Sequence, residues 1–171
     1  RTFTVGQATA TVTLAGLSAT YDGGAKVVTA TTEPAGLTVN LTYAGSATAP
    51  AAAGSYAVLG TVSDVNYVGS ATGTLEIAQA VQTITFGAIA DVVYSATPIE
   101  LSASASSGLE VTLSVVSGPA TVSGSTLTLT GVGTVTVTAS QVGDGNYNAA
   151  ANVTQDISVG KATATVTLAG L

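Results

Sequence analysis

The chain has 171 residues, 7% of them charged, with three bases (Arg1, Lys26, Lys161) against nine acids for a formal charge of −6, and no Cys, His, Met or Trp. Without thiol or imidazole there is no disulfide framework, no thiolate or imidazole metal site, and no Ser-His or Cys-His dyad. No Lys or Arg occurs from residue 80 to 160, which excludes a phosphate-tracking nucleic-acid surface.

The hydrophobic content comes mainly from Ala and Val dispersed among Thr, Ser and Gly. A membrane-spanning helix needs about 20 consecutive apolar residues. The richest stretches, Ala49 to Ala53 and Val111 to Val116, fall far short, so no membrane insertion is expected. Arg1 to Val5 reads as a strand and not as a leader peptide.

Along the chain, Thr9–Leu14, Leu37–Tyr43, Leu109–Val115, Thr126–Thr130 and Thr134–Thr138 place apolar residues at every second position. That period turns one face to a core and a hydroxyl face to water, and β-branched residues favour the pleated backbone. The predicted strands are 8–14, 26–32, 37–43, 55–63 and 70–78, then 81–86, 98–105, 109–116, 120–123, 125–130, 133–140 and 152–159. Asp22-Gly23-Gly24 and Glu33-Pro34-Ala35-Gly36 read as turns, and Ala44–Gly54 as an Ala-rich loop. No stretch has helical periodicity. The expected fold is all-β: two tandem Ig-like Greek-key β-sandwich modules joined by very short linkers.

One repeat is nearly perfect. Gln7 to Leu17 (QATATVTLAGL) returns as Lys161 to Leu171 (KATATVTLAGL), differing only at the first position, with a spacing of 154 residues between positions 7 and 161. Fainter matches relate Gly36–Leu41 to Gly108–Leu113, Gly54–Val58 to Gly133–Val137, and Asp64-Val65-Asn66-Tyr67 to Asp144-Gly145-Asn146-Tyr147. The expected organisation is the last strand of a preceding module (1–6), module A (7–78), module B (79–160) and the first strand of a following module (161–171). The chain thus reads as one period plus an overlap, cut from a longer array. Junctions of one or two residues leave little freedom between modules.

Ala19-Thr20-Tyr21-Asp22-Gly23, Glu33–Leu37, Ala53–Tyr56 and Asn66-Tyr67 make module A resemble the MBG or YDG-type repeats of large bacterial surface proteins. Ser107–Leu109, Val116–Val122, Leu127–Leu129 and Gly133–Ala139 make module B resemble bacterial Ig-like repeats. The resemblance implies secreted or surface-anchored adhesins, stalks and extracellular fibres, and it brings no catalytic residues. The expected partners are neighbouring copies of the same repeat, with cell-surface glycan or protein bound through regions outside this segment.

Acids without basic partners raise a calcium reading for Asp64, Asn66, Asp144 and Asn146, because hard cations take carboxylate and carbonyl oxygens. The competing reading is that Asp and Asn close turns through side-chain to backbone hydrogen bonds. No other cofactor is expected. Tyr67 and Tyr147 follow Asn at matching positions and read as structural residues capping the core through ring and hydroxyl. Glu100 and Glu110 fall on strand surfaces and not in a cleft, so the chain is read as no enzyme. The function expected is a stiff spacer or building block of an extracellular fibre, stalk or adhesin. The alternative is a cell-adhesion module recognising carbohydrate or a surface protein.

Overall fold

Alternating small and β-branched residues build strands along both halves of the chain. The computed structural model describes residues 2–167, and none of these is helical. Contacts divide the chain into two units. One takes in residues up to Ala80 together with Gly145–Tyr147, the other Val81–Asp144 and the chain from Asn148 onward.

The first unit contains β1 (Ala8–Thr9), β2 (Thr11–Ala15), β3 (Ser18–Thr20), β4 (Thr29–Glu33), β5 (Val39–Tyr43), β6 (Gly54–Val62), β7 (Tyr67–Val68) and β8 (Ser70–Ala78). Its main sheet has the order β3-β8-β6-β5, with β3 parallel to β8 and the other pairs antiparallel. Opposite it, β2 pairs antiparallel with β4, and β1 runs parallel to β7. The opening segment therefore changes partner twice within residues 8–20. The second change turns at Gly16, whose φ of 78° is a left-handed conformation that favours glycine. The core is Val28, Tyr43, Val58, Leu75 and Ile77, with Leu14, Leu17 and Leu41 packed against it. Gly60 leaves the room these leucines fill: a Cβ there would lie 3.1 Å from Leu14 Cδ2 and 3.2 Å from Val39 Cγ1.

The second unit contains β9 (Ile84–Phe86), β10 (Val92–Val93), β11 (Ile99–Glu100), β12 (Ala103–Ala105), β13 (Thr112–Ser117), β14 (Ala120–Ser123), β15 (Thr126–Leu129), β16 (Gly133–Ser140) and β17 (Val153–Gly160). One layer has the order β10-β17-β16-β13. The other is built from β11-β15-β14 and β12-β9, with β11 and β12 supplied by one stretch of chain. The connections β13 to β14 and β15 to β16 cross between layers. This is the seven-strand Greek-key order of an Ig-type sandwich, with the opening strand divided between the two layers as β9 and β10. Leu127, Val135, Val137 and Ile157 are fully buried between the layers.

The all-β sandwich reading holds, and the differences from expectation are local. β3 and β10 were not anticipated; both are short parallel strands beside a final strand, β8 or β17, and only that partner defines them. The strand expected at 26–32 begins at Thr29. Lys26 N–H instead donates to Pro50 O, and Val28 N–H to the Tyr43 hydroxyl, which takes both out of the ladder. Strands were also expected at 1–6 and 161–171. Residues 2–6 and 161–167 are exposed and form none, because among the described residues no edge pairs with them. Arg1 and Leu168 to Leu171 lie outside the described residues.

Candidate functional site

The most built polar feature of the first unit is where its opening strand meets the loop after β6. Asp64 Oδ1 accepts the N–H groups of Asn66 at 2.7 Å and Tyr67 at 3.1 Å, an Asp-closed turn of the kind short polar side chains favour. The turn aims Asn66 O at the N–H of Ala8, 2.8 Å away, and Val68 O at that of Ala10, 2.9 Å away. Gln7 Nε2 donates to Asp64 O at 3.0 Å and Val65 O at 3.2 Å. The approach is close enough to demand glycine at position 69, where a Cβ would sit 2.2 Å from Ala10 O.

The same arrangement recurs with the other Asp-x-Asn-Tyr sequence. Ala80 N–H donates to Asn146 O at 2.8 Å, and Ala80 bridges Tyr147 in parallel, as Ala8 does Tyr67. Within the first unit Asn146 Oδ1 also accepts Ala53 N–H at 3.0 Å, and the Tyr147 ring meets Tyr21 edge-on with centroids 5.3 Å apart. Of the calcium candidates, then, Asp64 and Asn146 each have a side-chain oxygen engaged by backbone N–H groups. Among the described residues no three acids converge on a point that would hold a metal. Tyr67 and Tyr147 are both half-buried.

Three of the other acids are met by hydroxyls and not by bases. Glu76 accepts a hydrogen bond from Ser55 Oγ at 2.6 Å, Asp156 from Thr136 Oγ1 at 2.7 Å, and Glu100 from Thr126 Oγ1 at 2.8 Å. Each donor is the residue directly opposite in the ladder. Hydroxyls do on the sheet faces what cations do elsewhere. The ion pair at Asp22, with Lys26 Nζ 2.5 Å away, lies on a loop. Lys26 first, and then the N–H of Gly24, hold the Asp22 carboxyl below its ordinary value of 3.8.

Two structural features had little signal in the sequence. Tyr43 is buried, and its hydroxyl accepts Val28 N–H at 2.9 Å. Alternation through Val39 and Leu41 pointed its ring inward but could not name a partner. In the second unit Gln82 and Gln141 are buried and joined at 2.6 Å. Gln82 Nε2 also donates to Asn148 O, Ser107 Oγ donates to Gln82 Oε1, and Gly143 N–H donates to Gln141 Oε1. The second unit also has an open recess of about 480 Å³ lined by Leu101, Ala103, Glu110, Thr112, Leu113 and Ser125 among others. Glu110 faces it, whereas Glu100 is held by Thr126 and Ser125.

Comparison with known proteins bears on the first unit.

Residues 10–81 match the MBG domain family.

The match covers the stretch whose sequence resembles MBG-type repeats, and within the matched residues lie all of β2 to β8. No curated protein matches the chain. Among solved structures, a SusE-like surface-located polysaccharide-binding protein from the Bacteroides thetaiotaomicron heparin utilisation locus aligns at 13% identity with a TM-score of 0.33. The alignment covers 86% of this chain and 34% of that one, so this chain spans about a third of its length. Among the described residues no helix is long and apolar enough to cross a membrane.

Proposed function

We propose that the chain is a structural repeat of a long extracellular bacterial surface protein, a stiff spacer or building block in a fibre, stalk or adhesin. The observation that carries this reading is the return of residues 8–17 unchanged at 162–171, after a period that contains two different β units. The MBG match supports a surface-protein module. The organisation follows as 7–78 and 79–160 for the two modules, with 1–6 and 161–171 belonging to neighbours on either side. Junctions of one or two residues favour stiffness. The absence of thiols, thioethers and imidazoles suits a surface exposed to oxidants and shifting pH. In this reading Asp64, Asn66, Asp144 and Asn146 close turns and Tyr67 and Tyr147 are structural, so adding calcium leaves thermal stability unchanged. The protein is read as non-catalytic.

The test is electron microscopy of chains carrying one, two and four copies of residues 7–160. Rods that lengthen by a constant step per copy are expected; flexible or collapsed particles would overturn the spacer reading. A second reading, carbohydrate binding, is favoured by the polar recess beside Glu110 alone. Among the described residues each unit exposes a single aromatic ring, Phe3 in one and Tyr94 in the other, so neither offers a stacking cluster. A glycan array probed with the chain separates the two readings.

A further inference from the structure

We propose that the end of the second unit bearing Tyr94 and Val132 is a docking surface, and that its occupant is the Asp64–Tyr67 loop of a following copy of this repeat. The inference rests on the repeat reading and goes beyond it by naming the contact. At the matching end of the first unit such a contact is already made. Tyr21 N–H donates to Ala78 O at 2.9 Å, and two residues further on Ala80 N–H donates to Asn146 O at 2.8 Å. With those two bonds in place, Asn146 Oδ1 accepts Ala53 N–H at 3.0 Å and the Tyr147 ring meets Tyr21 edge-on, centroids 5.3 Å apart. All of these residues belong to the first unit.

The second unit has the same end. Gly54 lies opposite Ile77 and Gly133 opposite Val159, which matches Ala53 with Val132 and Ala78 with Gly160. Thr20 faces Ala78 across the β3–β8 pair as Val93 faces Gly160 across β10–β17, which matches Tyr21 with Tyr94. Tyr94 N–H accordingly donates to Gly160 O at 2.8 Å. The loop that matches Asp144–Tyr147 is Asp64–Tyr67, which follows β6 as the other follows β16, and its Asn66 O accepts Ala8 N–H. When one period of residues 7–160 follows another, Gly160 is joined through Gln7 to Ala8, as Ala78 is joined through Gln79 to Ala80. Both backbone bonds that set the contact in the first unit are therefore present in this chain, one at Gly160 and the other at Ala8. Joining the periods brings Asn66 Oδ1 to Val132 N–H and the Tyr67 ring to Tyr94. Among the described residues neither the Asn66 amide nor the Tyr94 ring is engaged elsewhere. An aromatic pair and a hydrogen bond then orient each copy on the next. The contact is head-to-tail, the kind that builds open chains.

The test is the full chain with residues 7–160 duplicated in place, compared with the native chain by amide hydrogen exchange read in NMR spectra. The duplicated chain should show two Val132 amides, one exchanging as in the native chain and one about tenfold more slowly. Asn66→Ala in the second copy should abolish the slow one. Asn66 is exposed, so this change removes the contact without opening a core. As the reference contact, Asn146→Ala in the native chain should speed exchange at the Ala53 amide by a similar factor. The proposal is overturned if both Val132 amides exchange alike, if the slow one survives Asn66→Ala, or if Asn146→Ala leaves Ala53 unchanged. The spacer reading is judged by rod length, so rods of constant step with two identical Val132 amides would sink the docking alone.

Discussion

Between β5 and β6 the first unit runs through residues 44–53 without a strand, whereas between β13 and β16 the second builds the β14–β15 hairpin. The rest of the frame is shared. In both units the opening strand is divided between layers, ending in a short parallel strand beside the last one. The paired central strands also share a register, Gly54 opposite Ile77 and Gly133 opposite Val159. In the second unit β14 and β15 complete the layer, and Leu127 and Leu129 fill the space beneath. In the first, the loop itself closes the core: Ala49 and Ala53 pack on it, and Tyr43 supplies the bulk. The difference teaches that a missing hairpin is replaced by an Ala-rich loop and one large ring, provided the ring's hydroxyl has a partner.

Removing what fills each core gives the largest expected effect. Leu127→Ala in the second unit and Leu75→Ala in the first, both fully buried, should each cost about 2–5 kcal/mol. Hydrogen exchange should quicken over β16 and β17 for the one and over β6 and β8 for the other. Equal loss of protection in both units from either change would break the comparison.

Tyr43→Phe keeps the ring and deletes the acceptor for Val28 N–H. A buried donor left unsatisfied costs about 1–3 kcal/mol, measured by denaturant unfolding. A neutral result would mean that ring volume alone replaces the hairpin.

Gly60→Ala tests the tighter packing of the first unit. The matching position in the second is Ala139, also buried and facing Val153 as Gly60 faces Ala71. The added methyl must displace Leu14 and Val39, and a net loss of about 1 kcal/mol is expected after the gain from removing a strand glycine. A stabilised variant would show slack in that core.

The smallest effect is electrostatic. Because Lys26 and the Gly24 N–H lower the Asp22 carboxyl below 3.8, its contribution is present above that pH and lost as pH falls through the folded value. Asp22→Asn should melt slightly earlier than the native chain at pH 7, and the difference should vanish on acidification or in high salt. Calorimetry at the two pH values reads it.

Most of the layer structure was legible because period-2 alternation reports which residues share a face. β2, β5, β6, β8, β13 and β16 fall where Thr-Val alternation placed them, within a few residues at their ends. β3 and β10 were not legible, since two or three residues carry no periodicity and exist as strands only beside β8 and β17. The Asp-x-Asn-Tyr recurrence was visible in the sequence. Its use, holding Ala8 in one case and Ala80 in the other, was not, because the partners lie 58 and 66 residues away along the chain.

By itself, the order of residues determined the all-β class, the repeat and the lack of any thiol or imidazole, because composition and local periodicity need no partner to be read. Tertiary structure decided which hydroxyl holds which acid and which backbone group the Tyr43 oxygen satisfies. Those outcomes depend on register between segments far apart in the chain, which no local pattern of residues carries.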